Sequence, residues 1–154
     1  MTDTAHTPAH VPFLSIGPLV DRESGRTLVA ATGVADTFFT RLAGLQFRRS
    51  LPPGTGLLIV PCSSIHTACM RFAIDVVFLD EDARIVGLQP NVRPWRLAGE
   101  RAAAMTLELP AGATAADDTG AKPFRRGVSL MLPNAPPRRS LEPFRPAERA
   151  GRPQ

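Results

Sequence analysis

Tyrosine is absent from this chain of 154 residues, tryptophan and lysine each occur once, and cysteine occurs twice. Two cysteines, Cys62 and Cys69, make no disulfide framework, so the fold has to be held by a core, and a reducing cytoplasm is the expected compartment. No run of about 18 apolar residues is present, so no membrane-spanning helix is expected. The first ten residues are polar and lack the apolar segment of an export signal, so none is expected. Internal repeats are missing as well.

Charge of one sign is concentrated rather than abundant. The net charge is +4, from 18 basic and 14 acidic residues. Between Pro136 and Gln154, five arginines (138, 139, 145, 149 and 152) face only Glu142 and Glu148, so this stretch carries +3 and the rest is close to neutral. A nucleic-acid-binding domain needs a basic face and not a basic tail, so no nucleic-acid partner is expected. The tail reads as a disordered, solubilising segment. What the chain does have is 44% hydrophobic and 21% charged residues, ordinary globular usage with material for one core.

The pattern predicts a loose arm over 1–12, one domain over 13–133 and a Pro/Arg-rich tail over 134–154. Short strands are expected at Phe13–Leu19 and Arg26–Ala31, with turn chemistry in Asp21–Gly25 between them. Asp36 suits a helix N-cap, and Phe38, Leu42 and Leu45 follow at helical spacing, so a helix is predicted over Thr37–Gln46. Leu57–Val60 and Phe72–Leu79 are continuous apolar runs too short for core helices and read as buried strands. Asp80–Ala83 reads as a hairpin turn before a returning strand, Arg84–Leu88. Pro90–Leu97 reads as a loop anchored by Trp95; Met105–Leu109 as a strand; Ala113–Ala121 as a region with a short helical turn; Gly127–Leu132 as the last strand. The expected class is α+β: a compact, mostly antiparallel, barrel-like sheet with one or two short helices.

The densest polar stretch lies between the two buried strands, Cys62-Ser63-Ser64-Ile65-His66-Thr67-Ala68-Cys69-Met70-Arg71. Cys62, His66 and Cys69 include zinc-type donors. Their spacing lacks a fourth ligand, and on a strand His66 and Cys69 would point to opposite faces, so no metal and no cofactor are expected. Cys62 and His66 could pair as thiolate and base, although such neighbours also arise by chance. Asp75 sits within apolar Phe72–Leu79, where a charge must be paired or hydrogen-bonded; either it fixes a neighbouring loop through amides or it faces His66 in a cleft. Glu108, between Leu107 and Leu109, points away from both, toward solvent or toward the cleft of His66 and Asp75.

Three blocks, in this order, resemble the DUF192 (UPF0127) family: Arg41-Leu42-Ala43-Gly44-Leu45 with Leu51 and Gly56-Leu57-Leu58, then Ile65 through Asp80, then Leu107-Glu108-Leu109-Pro110-Ala111-Gly112. Together they cover roughly residues 26–131. The resemblance implies a compact, strand-rich α+β domain and supplies no established activity. It places His66, Met70, Asp75 and Glu108 at family motif positions. The chain departs from the pattern at Gln46 (often Met), Ala68 and Cys69 (usually bulky or aromatic), Ala73 (commonly Pro) and Arg126-Gly127-Val128, which lacks a Gly-Asp pair. Many relatives carry an export signal.

The reading that results is a cytoplasmic, bacterial-type monomer, without membrane partner, binding a small ligand or peptide in a polar cleft. The candidate residues are Cys62, His66, Thr67, Met70, Asp75 and Glu108. The alternatives are a hydrolase-type enzyme with His66 as base, and a scaffold recruiting a protein through the basic tail.

Overall fold

A computed structural model of the chain describes residues 14–35, 45 and 49–132. The expected arm and tail, and the predicted helix at 37–46 apart from Leu45, lie outside the described residues. The described residues form nine strands in chain order: β1 (Leu14–Asp21), β2 (Thr27–Ala35), β3 (Thr55–Ile59), β4 (Ser64–His66), β5 (Ile74–Leu79), β6 (Ile85–Val92), β7 (Leu97–Gly99), β8 (Met105–Pro110) and β9 (Leu130–Met131). Seven form one sheet in the order β6-β5-β8-β3-β2-β1-β9, and β4 with β7 forms a separate two-stranded sheet. Every pairing is antiparallel except β2 with β3.

The large sheet curls into a half-barrel whose two ends are stitched at one corner. There Asp21 and Leu130 pair across β1 and β9, while Ser129 bridges Arg84 at the start of β6. Backbone bonds from Ile85 to Val128 (2.8 Å) and from Leu130 to Ala83 (2.9 Å) complete the seam. A short two-sided strand thus occupies backbone groups that open sheet ends would leave bare.

The expected α+β class does not hold: the described residues contain no helix, and the architecture is all sheet. Ala113–Ala121, where a helical turn is expected from composition, forms isolated turns, with Ala113 N–H on Pro110 O and Ala115 N–H on Gly112 O. Asp117 stops any propagation. Its carboxylate accepts the Thr119 hydroxyl (2.6 Å), the Arg26 guanidinium (2.7 Å) and the Thr119 and Ala121 amides. These bonds, the Thr119 hydroxyl first, hold its pKa below the usual carboxylate range. Local side-chain acceptors of this kind compete with helix bonds for the same amides. Pro90–Leu97 is not one loop either, since β6 runs on to Val92 and β7 begins at Leu97.

The apolar runs of β3, β5 and β8 are buried on both faces. Alternation sends Leu58, Val77, Leu79, Leu107 and Leu109 to the concave side, where they meet Leu19, Val29, Ile85, Phe124 and Leu130. It sends Leu57, Ile59, Ile74, Val76 and Phe78 to the convex side, under Leu45, Leu51, Ile65, Met70 and Ala98. Each such side chain contributes about 1.5–3 kcal/mol on leaving water. The little β4–β7 sheet is therefore a lid on the convex core, with Ile65 and Ala98 inward and Ser64, His66 and Leu97 outward.

The concave core is filled to the backbone at Gly56. A Cβ there would stand 3.0 Å from Leu109 Cδ2 and 3.2 Å from Leu107 Cδ1. Gly56→Ala is expected to lower stability by about 1–3 kcal/mol through overpacking. Urea denaturation checks this; an unchanged midpoint would mean that the sheet is more open than described.

Candidate functional site

Asp75 is 1% exposed on β5, and the charge of its buried carboxylate is met by hydrogen bonds. Between Ile74↔Val92 and Val76↔Gln89, two steps on β5 face three on β6, so β6 carries one extra residue. The bulge falls at Pro90-Asn91: proline offers no amide to the ladder, and Asn91 takes φ +53°. The Asn91 amide, turned out of the ladder, donates to Asp75 Oδ1 at 2.9 Å. From the other side, Thr114 donates its amide (2.8 Å) and hydroxyl (2.7 Å) to Oδ2. Asp75 thus clamps the β6 bulge to the turn after β8.

Thr67, fully buried just after β4, is a second clamp. Its hydroxyl donates to Arg93 O at 2.7 Å and accepts the Arg96 amide at 2.9 Å. Its own amide donates to Arg96 O, and its carbonyl accepts the Trp95 and Met70 amides. Trp95 is held at φ +61° with 67% of its surface exposed, so it is not the buried anchor expected of a lone tryptophan in a loop. Beside these two clamps runs a shallow groove of about 550 Å³, lined by residues 88–93, Arg96 and Leu97.

The remaining expected residues divide by sheet face. Glu108 opposes Val76 and Leu57, whereas Asp75 opposes Leu109, so the two carboxyls leave the sheet on opposite sides. His66 is exposed, pairs by backbone with Leu97, and no described residue hydrogen-bonds its ring. Asp75 takes its bonds from Asn91 and Thr114 and none from His66. Met70 is a convex-core side chain. Cys62 is half-buried at the rim of that core, its thiol donating to Ser64 O at 3.1 Å and its carbonyl accepting the Thr106 hydroxyl. Among the described residues, no three His, Cys, Asp or Glu side chains gather in a way that could hold a metal.

Glu108 is 4% exposed, not solvent-facing, and its Oε2 has no hydrogen-bond partner among the described residues. Loss of water around it pushes its pKa up to about 7. Three of the groove's polar contributors, Asn91, Arg93 and Arg96, escape a reading centred on Cys62–Arg71. The signal for them is Pro90-Asn91 inside an otherwise extended run, which marks a bulge.

Asp75→Ala leaves the Asn91 amide and both Thr114 donors without their acceptor and is expected to cost about 2–4 kcal/mol. Hydrogen exchange at those two amides, with a urea midpoint, checks it; unchanged exchange would remove the clamp. For Glu108 the folded state keeps a proton that the unfolded chain loses near pH 4.5. Its contribution is therefore whole below that pH and is lost as pH rises through about 7, by on the order of 3 kcal/mol. Glu108→Gln should be the flatter of the two proteins between pH 5 and 8 in thermal melts; parallel curves would place the carboxyl in water.

Residues 20–122 match the DUF192 family model, described as an uncharacterised ACR. A UPF0127 protein of Thermococcus sibiricus is 32% identical over 100 residues, 61% of this chain and 64% of the relative, so just under two thirds of that protein is spanned. A UPF0127 protein of Pyrococcus furiosus is 33% identical over 94 residues, 57% of this chain and 78% of the relative. Among solved structures, a candidate transcription regulator from Sinorhizobium meliloti 1021 superposes with TM-score 0.62 at 25% identity, over 74% of this chain and 89% of that one. A protein of unknown function from Novosphingobium aromaticivorans shares the fold alone, with TM-score 0.56 at 18% identity, over 85% of this chain and 99% of that one. With three ordered motif blocks, a family model matched over most of the domain and curated relatives in agreement, the chain belongs to the DUF192 (UPF0127) family.

Proposed function

We propose that the domain is a binding module that takes a small carboxylate-bearing ligand or a peptide end in the groove beside β6. The observation that supports this reading is the pair of buried clamps under the groove. Asp75 fixes the Asn91 bulge on one wall, and Thr67 fixes the Arg93 and Arg96 backbone on the other. A groove whose walls are set before the ligand arrives loses little entropy on binding. The two guanidinium groups set the ligand's charge, because no described carboxylate pairs with either: the described ion pairs are Arg26–Asp117 and Arg126–Glu100. Arginine forks recognise carboxylates through paired hydrogen bonds.

In this reading His66 and Thr67 belong to the site by position, and Asp75 is a positioning residue beneath it. The hydrolase alternative asks His66 to be oriented by Asp75 or Glu108. The first is committed to Asn91 and Thr114, and the second leaves the sheet on the other face, which favours binding without turnover.

Titration of the labelled full chain with succinate, followed by amide chemical shifts, tests the proposal. Shifts are expected at Gln89, Asn91, Arg93 and Arg96, and Arg93→Gln combined with Arg96→Gln should abolish them. Absent shifts, or shifts that survive the double substitution, would overturn it.

A further inference from the structure

Leu97, which lines the groove, and Trp95, two positions before it, are apolar side chains that a small carboxylate does not use. The exposed large hydrophobic side chains among the described residues are Trp95, Leu97 and Met131, and the first two stand two positions apart. Leu97 is 83% exposed. It pairs with His66 across β4 and β7, so both side chains share the outer face of the lid. The Trp95 backbone is held by its amide bond to Thr67 O at 3.0 Å, in a left-handed conformation that a bulky residue adopts only where its surroundings impose it. With its backbone held in this way and 67% of its surface exposed, Trp95 is presented rather than incidentally bare.

Charge decides what covers it. Arg93 and Arg96 flank Trp95 and have no carboxylate partner among the described residues. Of the acids of the same hairpin, Asp75 is buried beneath the groove with its oxygens taken by Asn91 and Thr114, and Asp80, Glu81 and Asp82 lie at its turn, the far end of β5 and β6 from Val92. The composition of Pro136 to Gln154, five arginines against two glutamates, does not complement two arginines. Two arginines around two apolar side chains neutralise too few phosphates to hold a duplex, whereas arginine and tryptophan are the side chains that dominate protein–protein contacts.

Resting on the groove reading, we propose that the natural occupant is an acidic segment of a partner protein. Its carboxylates lie on Arg93 and Arg96, and one apolar side chain lies on Trp95 and Leu97. The chain reports on this directly, because Trp95 is its sole tryptophan and it has no tyrosine, so intrinsic emission reads the patch alone.

The test titrates the full chain with four probes: an acetylated peptide of four glutamates around one leucine, the same peptide with serine for leucine, succinate, and a short DNA duplex. The leucine peptide should shift Trp95 emission to the blue and bind about tenfold more tightly than the serine peptide. Leu97→Ser, at a position 83% exposed, should erase that tenfold preference and leave the melting temperature unchanged. Equal binding of succinate and both peptides, with emission unmoved, would keep the groove and overturn the apolar contact. No binding by any probe would remove both readings. Duplex DNA binding more tightly than the leucine peptide, indifferent to Leu97→Ser, would overturn the protein partner in favour of a phosphate backbone.

Discussion

The placement of a single buried carboxylate governs this molecule's surface. Asp75 lies in a strand buried on both faces, where an unmatched charge costs several kcal/mol. Its two oxygens draw in an amide from the β6 bulge and two donors from the turn after β8. The bulge in turn puts residues 88–93 along the groove and leads the chain to Arg93, where the Thr67 hydroxyl takes over. Core electrostatics and surface shape are therefore one problem here: satisfying the acid inside builds the concavity outside.

Glu108 is the counterexample within the same sheet. It neighbours Asp75 across the β5–β8 ladder, yet one step of register sends it to the opposite face, among Leu57, Val76 and the rest of the convex core. Among the described residues no amide turns toward its Oε2, and desolvation alone raises its pKa. Of two carboxyls in adjacent strands, one is thus anchored by three donors and the other has its pKa raised by burial. The difference comes from the face each one takes: the β6 bulge and the turn after β8 bring donors to Asp75, whereas Glu108 opposes Leu57 and Val76.

Much of the fold was legible in local pattern. The runs Leu57–Val60 and Phe72–Leu79 announced strands buried on both sides, and Asp80–Ala83 announced a hairpin turn whose Asp80 carboxylate does accept the Asp82 and Arg84 amides. The helical content was misjudged at Ala113–Ala121, where alanine propensity lost to the acceptors around Asp117. Trp95 was misplaced because a large aromatic is usually buried, and only the Thr67 clamp turns this one outward. Of the expected site residues, Asp75 and Thr67 hold the backbone of Asn91, Arg93 and Arg96 along the groove, and these three lie outside Cys62–Arg71, with Pro90-Asn91 as the signal that local pattern offers for them.

Taken alone, the order of residues determined that Asp75 must find donors, that two short apolar runs must be buried strands, and to which family the chain is similar; these follow from desolvation cost and from the two-residue period of an extended chain. Tertiary structure decided the rest. Which donors reach Asp75, which face Glu108 takes, and that residues 67, 93 and 96 meet across nearly 30 positions all depend on strand register and on a one-residue bulge. Register is a property of paired strands, and no single stretch of chain contains it.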